Sequence, residues 1–98
     1  MSKELKEDVA VKILKLVLTA CKKDGLYIST TIGNTFDTDV YIHDLRNNNN
    51  TSVIYSTDKE RCKGKQENGI RYIYDPEFVL AERHLVKIIE EASDEGQL

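Results

Sequence analysis

The sequence predicts an α+β domain in which an N-terminal and a C-terminal helix pack on one face of a four-stranded antiparallel meander sheet. Three observations predict this α-β-β-β-β-α order. Residues 9–21 carry apolar side chains at helical spacing, residues 26–74 contain four segments that alternate with a period of two, and Asp75-Pro76 opens a second helical pattern. The links are short, which favours antiparallel neighbours because parallel strands need crossovers of a dozen residues or more.

The first helix has more apolar surface than one core-facing stripe requires. Residues 9–21 leave only a narrow polar stripe, and they are too short and too rich in lysine to span a membrane. Either the sheet and the second helix of one monomer bury this surface, or a partner chain covers part of it. We expect the second arrangement, a homodimer, with Val11, Leu14 and Leu18 as the self-association residues.

The four predicted strands occupy residues 26–32, 39–45, 52–57 and 70–74, where β-branched and aromatic residues are frequent. If both helices lie on one face, the other face is open and rich in residues that are common at binding hot spots. We expect this partner-binding face to hold Tyr27, Tyr41, His43, Ile54, Arg71 and Ile73. A one-residue change of register would exchange the two faces.

The second helix is predicted to begin with Asp75 as its N-cap and Pro76 in its first turn, with Phe78, Ala81 and Leu85 on its apolar stripe. Clustered acidic residues at its end oppose the helix dipole. We therefore expect one domain over residues 1–95 and a disordered tail at 96–98. The composition, 40% hydrophobic and 32% charged, is that of an ordinary globular protein.

Charge gives no general attraction to nucleic acid, since the net charge is −3. A local exception is the basic loop of Lys59, Arg61, Lys63 and Lys65, although acidic residues alternate with these cations. No signal peptide is apparent, and the two cysteines lack metal or redox spacing. We expect a cytoplasmic protein that does not bind membranes.

Candidate catalytic groups are sparse. Asp37, Asp39, His43 and Asp44 have the chemistry of metal ligands. On a strand, Asp39 and His43 share a face but Asp44 points away, so at most three of these groups converge, and no metal-binding motif is present. Cys62 lies among cations that favour a thiolate, but no base is held beside it. The sequence therefore predicts no enzyme, no metal and no cofactor.

The leading hypothesis is a non-enzymatic protein–protein interaction module, such as a small inhibitor, an immunity-type protein or an accessory protein of a phage or another mobile element. One alternative is a nucleic-acid-binding regulator that uses the basic loop and the open sheet face. Another is a small metal-dependent hydrolase built on Asp37, Asp39 and His43.

Overall fold

A computed structural model describes residues 3–46, 50–64, 66–67 and 69–92. The α+β class and the two terminal helices are confirmed; Lys65 and the predicted tail at 96–98 lie outside the described residues. Two short elements, α2 and β4, were not predicted. In chain order the elements are α1 (Lys3–Ala20), β1 (Leu26–Ile32), β2 (Thr38–Asp44), β3 (Thr51–Ser56), α2 (Lys59–Cys62), β4 (Gln66–Glu67), β5 (Ile70–Tyr74) and α3 (Val79–Glu91).

The strands form one mixed sheet in the order β1-β2-β3-β5-β4. All neighbours are antiparallel except β3 and β5, which run parallel with Ile54 beside Tyr72. The prediction of a purely antiparallel meander is therefore wrong at this pair. The polar segment between Ser56 and Ile70 is long enough for a crossover connection. Along the chain it contains α2 and the two-residue β4, and β4 adds to the sheet at the outer edge of β5.

The core lies between the sheet and the two terminal helices. Alternate residues of β2, Val40 and Ile42, point toward these helices and are fully buried. Because α1 and α3 share one core with these strand residues, both helices cover the same face, here called the covered face. The buried helix residues are Ala10, Ile13, Val17 and Ala20 of α1 and Ala81, Leu85 and Ile88 of α3.

The start of α3 differs from the prediction. Residues 76–77 form a turn, and Phe78 takes a left-handed conformation (φ 54°) immediately before the helix. The Asp75 carboxylate is nevertheless the cap, because its Oδ2 accepts a hydrogen bond of 2.8 Å from the backbone N–H of Ala81. The turn directs the Phe78 ring into the core, where it is almost completely buried.

Polar groups near the covered face are paired. Asp44 accepts two side-chain hydrogen bonds from Arg46, each 3.1 Å long. Desolvation by burial alone would raise the pKa of Asp44, but the hydrogen bonds and charge of Arg46 outweigh it and hold the pKa below its ordinary value. None of the helices formed by the described residues has the length and hydrophobicity that a membrane-spanning segment needs.

Candidate functional site

The side of the sheet opposite α1 and α3, here called the open face, carries four of the six predicted partner-binding residues. Pairing along the sheet arranges its side chains in rows, because directly opposed residues point the same way. The first row holds Tyr27, His43, Ser52 and Ile70 and ends at Glu67 of β4, and the second holds Ser29, Tyr41, Ile54 and Tyr72. The third row holds Thr31, Asp39, Ser56 and Tyr74.

Arg71 and Ile73 are corrections to the predicted face. They pair with Val53 and Tyr55, which point toward the helices, so both residues lie on the covered side. The prediction placed the wrong set of alternate residues of β5 on the open face. Since β5 arrives by a crossover and pairs parallel to β3, its facing is set by that register. Tyr72 and Ile70 occupy the open face instead, and only the correct strand partner would have identified them.

An aromatic cluster stands at one side of the open face. The His43 ring centroid lies 6.1 Å from that of Tyr27 and 6.3 Å from that of Tyr41. The Nε2–H of His43 donates to the Oδ1 of Asn50 at 2.6 Å, which fixes the orientation of the imidazole. Tyr27 is 64% exposed, whereas Tyr41 and His43 are partly buried by their neighbours. The cluster is therefore an ordered surface of rings that water reaches from one side.

The opposite end of the open face is covered by α2. Arg61 pairs with the Asp39 carboxylate at 2.8 Å, and the Ser56 hydroxyl donates to the same carboxylate. Asp58 caps the short helix by accepting from the N–H of Glu60. These polar contacts engage Asp39 and Ser56 in the middle of the third row, and the first two rows remain accessible.

Two of the four cations of the basic loop, Arg61 and Lys63, are paired with carboxylates. Besides the Arg61–Asp39 pair, Lys63 lies 3.1 Å from the Glu60 carboxylate. Lys59 is exposed, and Lys65 falls outside the described residues. Cations held by neighbouring carboxylates release fewer counterions on binding a phosphate backbone, so the loop has less attraction for nucleic acid than its composition suggests.

The predicted metal ligands do not converge. Asp37 pairs with Lys6 at 2.9 Å, and this hydrogen bond is the main cause that holds the Asp37 pKa below its ordinary value. Asp39 is engaged by Arg61, and His43 lies four residues further along β2, about 13 Å away at the usual strand rise. Within the described part of the chain, no group of three metal-binding side chains is assembled.

Cys62 is not an activated nucleophile. Burial, followed by the charge of Asp39, raises the pKa of its thiol, opposite to the direction that the neighbouring lysines suggested. His84, a side chain with the chemistry of a general base, lies on α3 with its Nδ1 hydrogen-bonded to the Tyr55 hydroxyl at 3.0 Å. Burial lowers the pKa of His84 and raises that of Tyr55, so the covered layer favours the neutral form of both side chains.

The predicted self-association residues lie on the surface of α1. Val11 is 48% exposed, Leu18 is 60% exposed and Leu14 is partly buried. A cleft of about 130 Å³ beside them is lined by Leu14, Ile32 and Phe36, among other residues. The helix therefore has one buried apolar stripe and a second apolar stripe that faces solvent.

Comparison with models of protein families, with curated proteins and with solved structures finds no match to this chain.

Proposed function

We propose that the protein is a non-enzymatic protein-binding module and that its binding surface is the open face of the sheet. One observation carries the proposal. The eight positions that β1, β2, β3 and β5 contribute to the first two rows include three tyrosines, one histidine and two isoleucines, but no charged residue. The charged positions of this face lie at its margins, with Glu67 at the β4 end of the first row and Asp39 in the third row. Exposed rings combined with hydroxyl groups favour protein recognition, because each side chain has a large contact area and a polar group that pairs at the interface.

The chemistry of the face indicates the kind of partner. A surface that is rich in tyrosine and has its few charges at the margins complements another surface of low charge, with backbone or side-chain carbonyl groups that accept hydrogen bonds from the hydroxyls. The ion pairs of Asp39 with Arg61 and of Glu60 with Lys63 stand beside the face as a polar rim. Apolar centres with polar rims are typical of transient protein interfaces.

Small inhibitors, immunity-type proteins and accessory proteins of phages act by covering a surface of another protein. The proposed mode of action here is the same, and it requires no catalytic group. Neutralisation of Arg61 and Lys63 favours this function over nucleic-acid binding. The separation of Asp39 from His43 favours it over metal-dependent hydrolysis.

Affinity capture from a lysate of the source organism tests the proposal, with the wild-type chain compared with Tyr27→Ala and Tyr41→Ala. A protein retained by the wild type and lost by both variants is then purified and titrated. We expect each substitution to weaken that complex by about tenfold or more. The matched control is Leu80→Ala, which removes an exposed side chain from α3 on the other side of the molecule.

Two results would contradict the proposal. The first is a purified partner that binds both tyrosine variants as tightly as the wild type while each variant keeps its folded circular-dichroism spectrum. The second is a mobility shift with RNA or DNA that weakens steeply with salt, which would assign the surface to a nucleic acid.

A further inference from the structure

The second apolar stripe of α1 has the spacing of a coiled-coil seam. Its positions alternate by four and three residues, which keeps side chains on one line along a helix that packs against another helix. The positions in α1 are Glu7, which is charged, and the apolar Val11, Leu14 and Leu18. Cys21 continues the line immediately after the helix, where its backbone N–H still donates to the Val17 carbonyl oxygen. Four of these five side chains are exposed, and Leu14 is partly exposed. This seam lies beside the buried stripe and is distinct from it.

The seam faces the side of the molecule where the sheet ends at β1. On the opposite flank of α1, Lys12 pairs with Glu82 of α3, so α3 lies away from the seam. Near the end of the seam, the thiol of Cys21 donates to the carbonyl oxygen of Ile28 in β1. Since β1 is an edge strand of the sheet, none of the described strands lies beyond it to obstruct a second helix.

We propose that this seam pairs antiparallel with the seam of a second copy of the chain. When two seams are aligned antiparallel, one register places Leu14 beside the partner's Leu18 and Val11 beside the partner's Cys21. Two-fold symmetry repeats both contacts. Every layer of this arrangement is apolar, because Glu7 falls beyond the last layer.

Charge complementarity selects a second copy in the antiparallel orientation. Glu7 and Asp8 stand at one end of the seam, and the exposed Lys22 follows its other end. An antiparallel pair brings the acidic end of each helix next to Lys22 of its partner, twice per dimer. A parallel pair would oppose Glu7 to Glu7 and Lys22 to Lys22.

The same register places the exposed Asp24 opposite the partner's Asp8, beyond the last layer. Within the seam, Lys15 is an unfavourable charge. It flanks the seam near its middle and approaches its own copy close to the two-fold axis, where its long side chain extends into solvent. The seam covers only about two heptads, so the dimer is expected to dissociate on dilution. Because the open face lies elsewhere on the sheet, dimer formation leaves that face free. The proposed dimer is therefore independent of the proposed function, and a test can contradict either one alone.

Light scattering over a dilution series tests the association. The wild type is expected to have a mass near twice the 11.2 kDa of the chain at high concentration and to approach 11.2 kDa on dilution. Leu18→Glu places an unpaired carboxylate in two layers and should raise the dissociation constant by about 100-fold or more. The control is Leu80→Glu on α3, since Leu80 is 44% exposed and lies outside the seam. A mass of 11.2 kDa at every concentration overturns the proposal, and so does a dimer that Leu18→Glu leaves intact.

Disulfide formation tests the register, in a Cys62→Ser background so that Cys21 is the only native thiol. Burial raises the pKa of the Cys21 thiol, so oxidation by oxidised glutathione is carried out at alkaline pH. Val11→Cys should then form a covalent dimer through Cys21 of the partner, whereas the background alone and Val11→Cys with Cys21→Ser should not. A covalent dimer of the background chain through Cys21 would place the helices parallel and overturn the antiparallel arrangement.

Discussion

The covered and open faces of the sheet are built from the same strands, but they carry different side chains. On the covered face, Val40 and Ile42 are fully buried, and the polar groups beside them are paired, as Asp44 is with Arg46. On the open face, Tyr27 is largely exposed and its neighbouring rings are only partly buried. One backbone therefore supports two surfaces with different relations to water.

The difference separates the residues that stabilise the fold from those that are available for recognition. Burial of apolar surface is the main stabilising contribution, so covered-face side chains should dominate the free energy of unfolding. Rings on the open face retain much of their contact with water, and their potential burial is realised only when a partner binds. Matched substitutions on the two faces test this separation.

The largest difference is expected between Ile42→Ala and Ile54→Ala. Both residues lie in central strands, but Ile42 is 1% exposed on the covered face and Ile54 is partly exposed on the open face. We expect Ile42→Ala to lower the free energy of unfolding by about 3 kcal/mol and Ile54→Ala by about 1 kcal/mol. Urea denaturation measures both. Equal losses would mean that the open face is packed as tightly as the covered face, which contradicts the separation.

The two helix caps provide the next comparison. Asp75 is buried and accepts from the N–H of Ala81 in α3, whereas Asp58 accepts from Glu60 in the four-residue α2 beside the open face. Asp75→Ala should cost about 2 kcal/mol, because it leaves a buried donor without an acceptor. Asp58→Ala should cost about 0.5 kcal/mol, since water reaches the freed N–H. Thermal unfolding monitors both variants, and a larger loss for Asp58→Ala would assign α2 a structural role.

The prediction of these caps shows what local sequence information determines. The sequence predicts Asp75 as the N-cap and Phe78 as an apolar residue of the helix, because capping chemistry and helical spacing are local properties. The Asp75 carboxylate does accept a hydrogen bond from the first turn, and Phe78 is buried, but the N-cap position itself is Phe78. The start of α3 at Val79 depends on the left-handed turn at Phe78, which brings that ring into a core made by distant residues. The packing of Phe78 in the core therefore delays the start of α3 to Val79, whereas a helix that opens with Asp-Pro usually begins at the proline.

Strand pairing marks the limit of the sequence analysis. Alternation identified all four main strands to within about one residue, but it could not identify the partner of β5. The charged segment around Arg61 was interpreted as a loop because no apolar periodicity indicates α2. Its function as a crossover reversed the facing of β5, which moved Arg71 and Ile73 to the covered side and Tyr72 to the open face. Site residues on β1, β2 and β3 were placed by local patterns, and those on β5 required non-local pairing.

The pH dependence of the free energy of unfolding should show the effect of burying His84 on the covered face. Burial lowers the pKa of His84, so the unfolded chain begins to bind a proton below about pH 6.5 while the folded chain does not. Stability is therefore complete above that pH and falls as the pH decreases, with a slope of at most about 1.4 kcal/mol per pH unit. Asp44 contributes a separate loss at lower pH, because its folded-state pKa lies below the ordinary carboxyl value. Denaturation at several pH values should show the first slope in the wild type and not in His84→Gln.

The smallest effect on stability is expected from tyrosine substitutions on the open face. Tyr55→Phe on the covered face removes the hydrogen bond to His84 and should cost about 1 kcal/mol, because it leaves the ring nitrogen without its partner. Tyr27→Ala removes a larger group but only a loose ring contact with His43, so its cost should be about 0.5 kcal/mol or less. Partner binding should show the reverse order, with a large loss for Tyr27→Ala and none for Tyr55→Phe. Measuring unfolding and binding on the same two variants distinguishes the two faces directly. If Tyr27→Ala lowers the free energy of unfolding more than Tyr55→Phe does, the exposed ring of Tyr27 stabilises the fold. That result would contradict the assignment of the open face to partner binding.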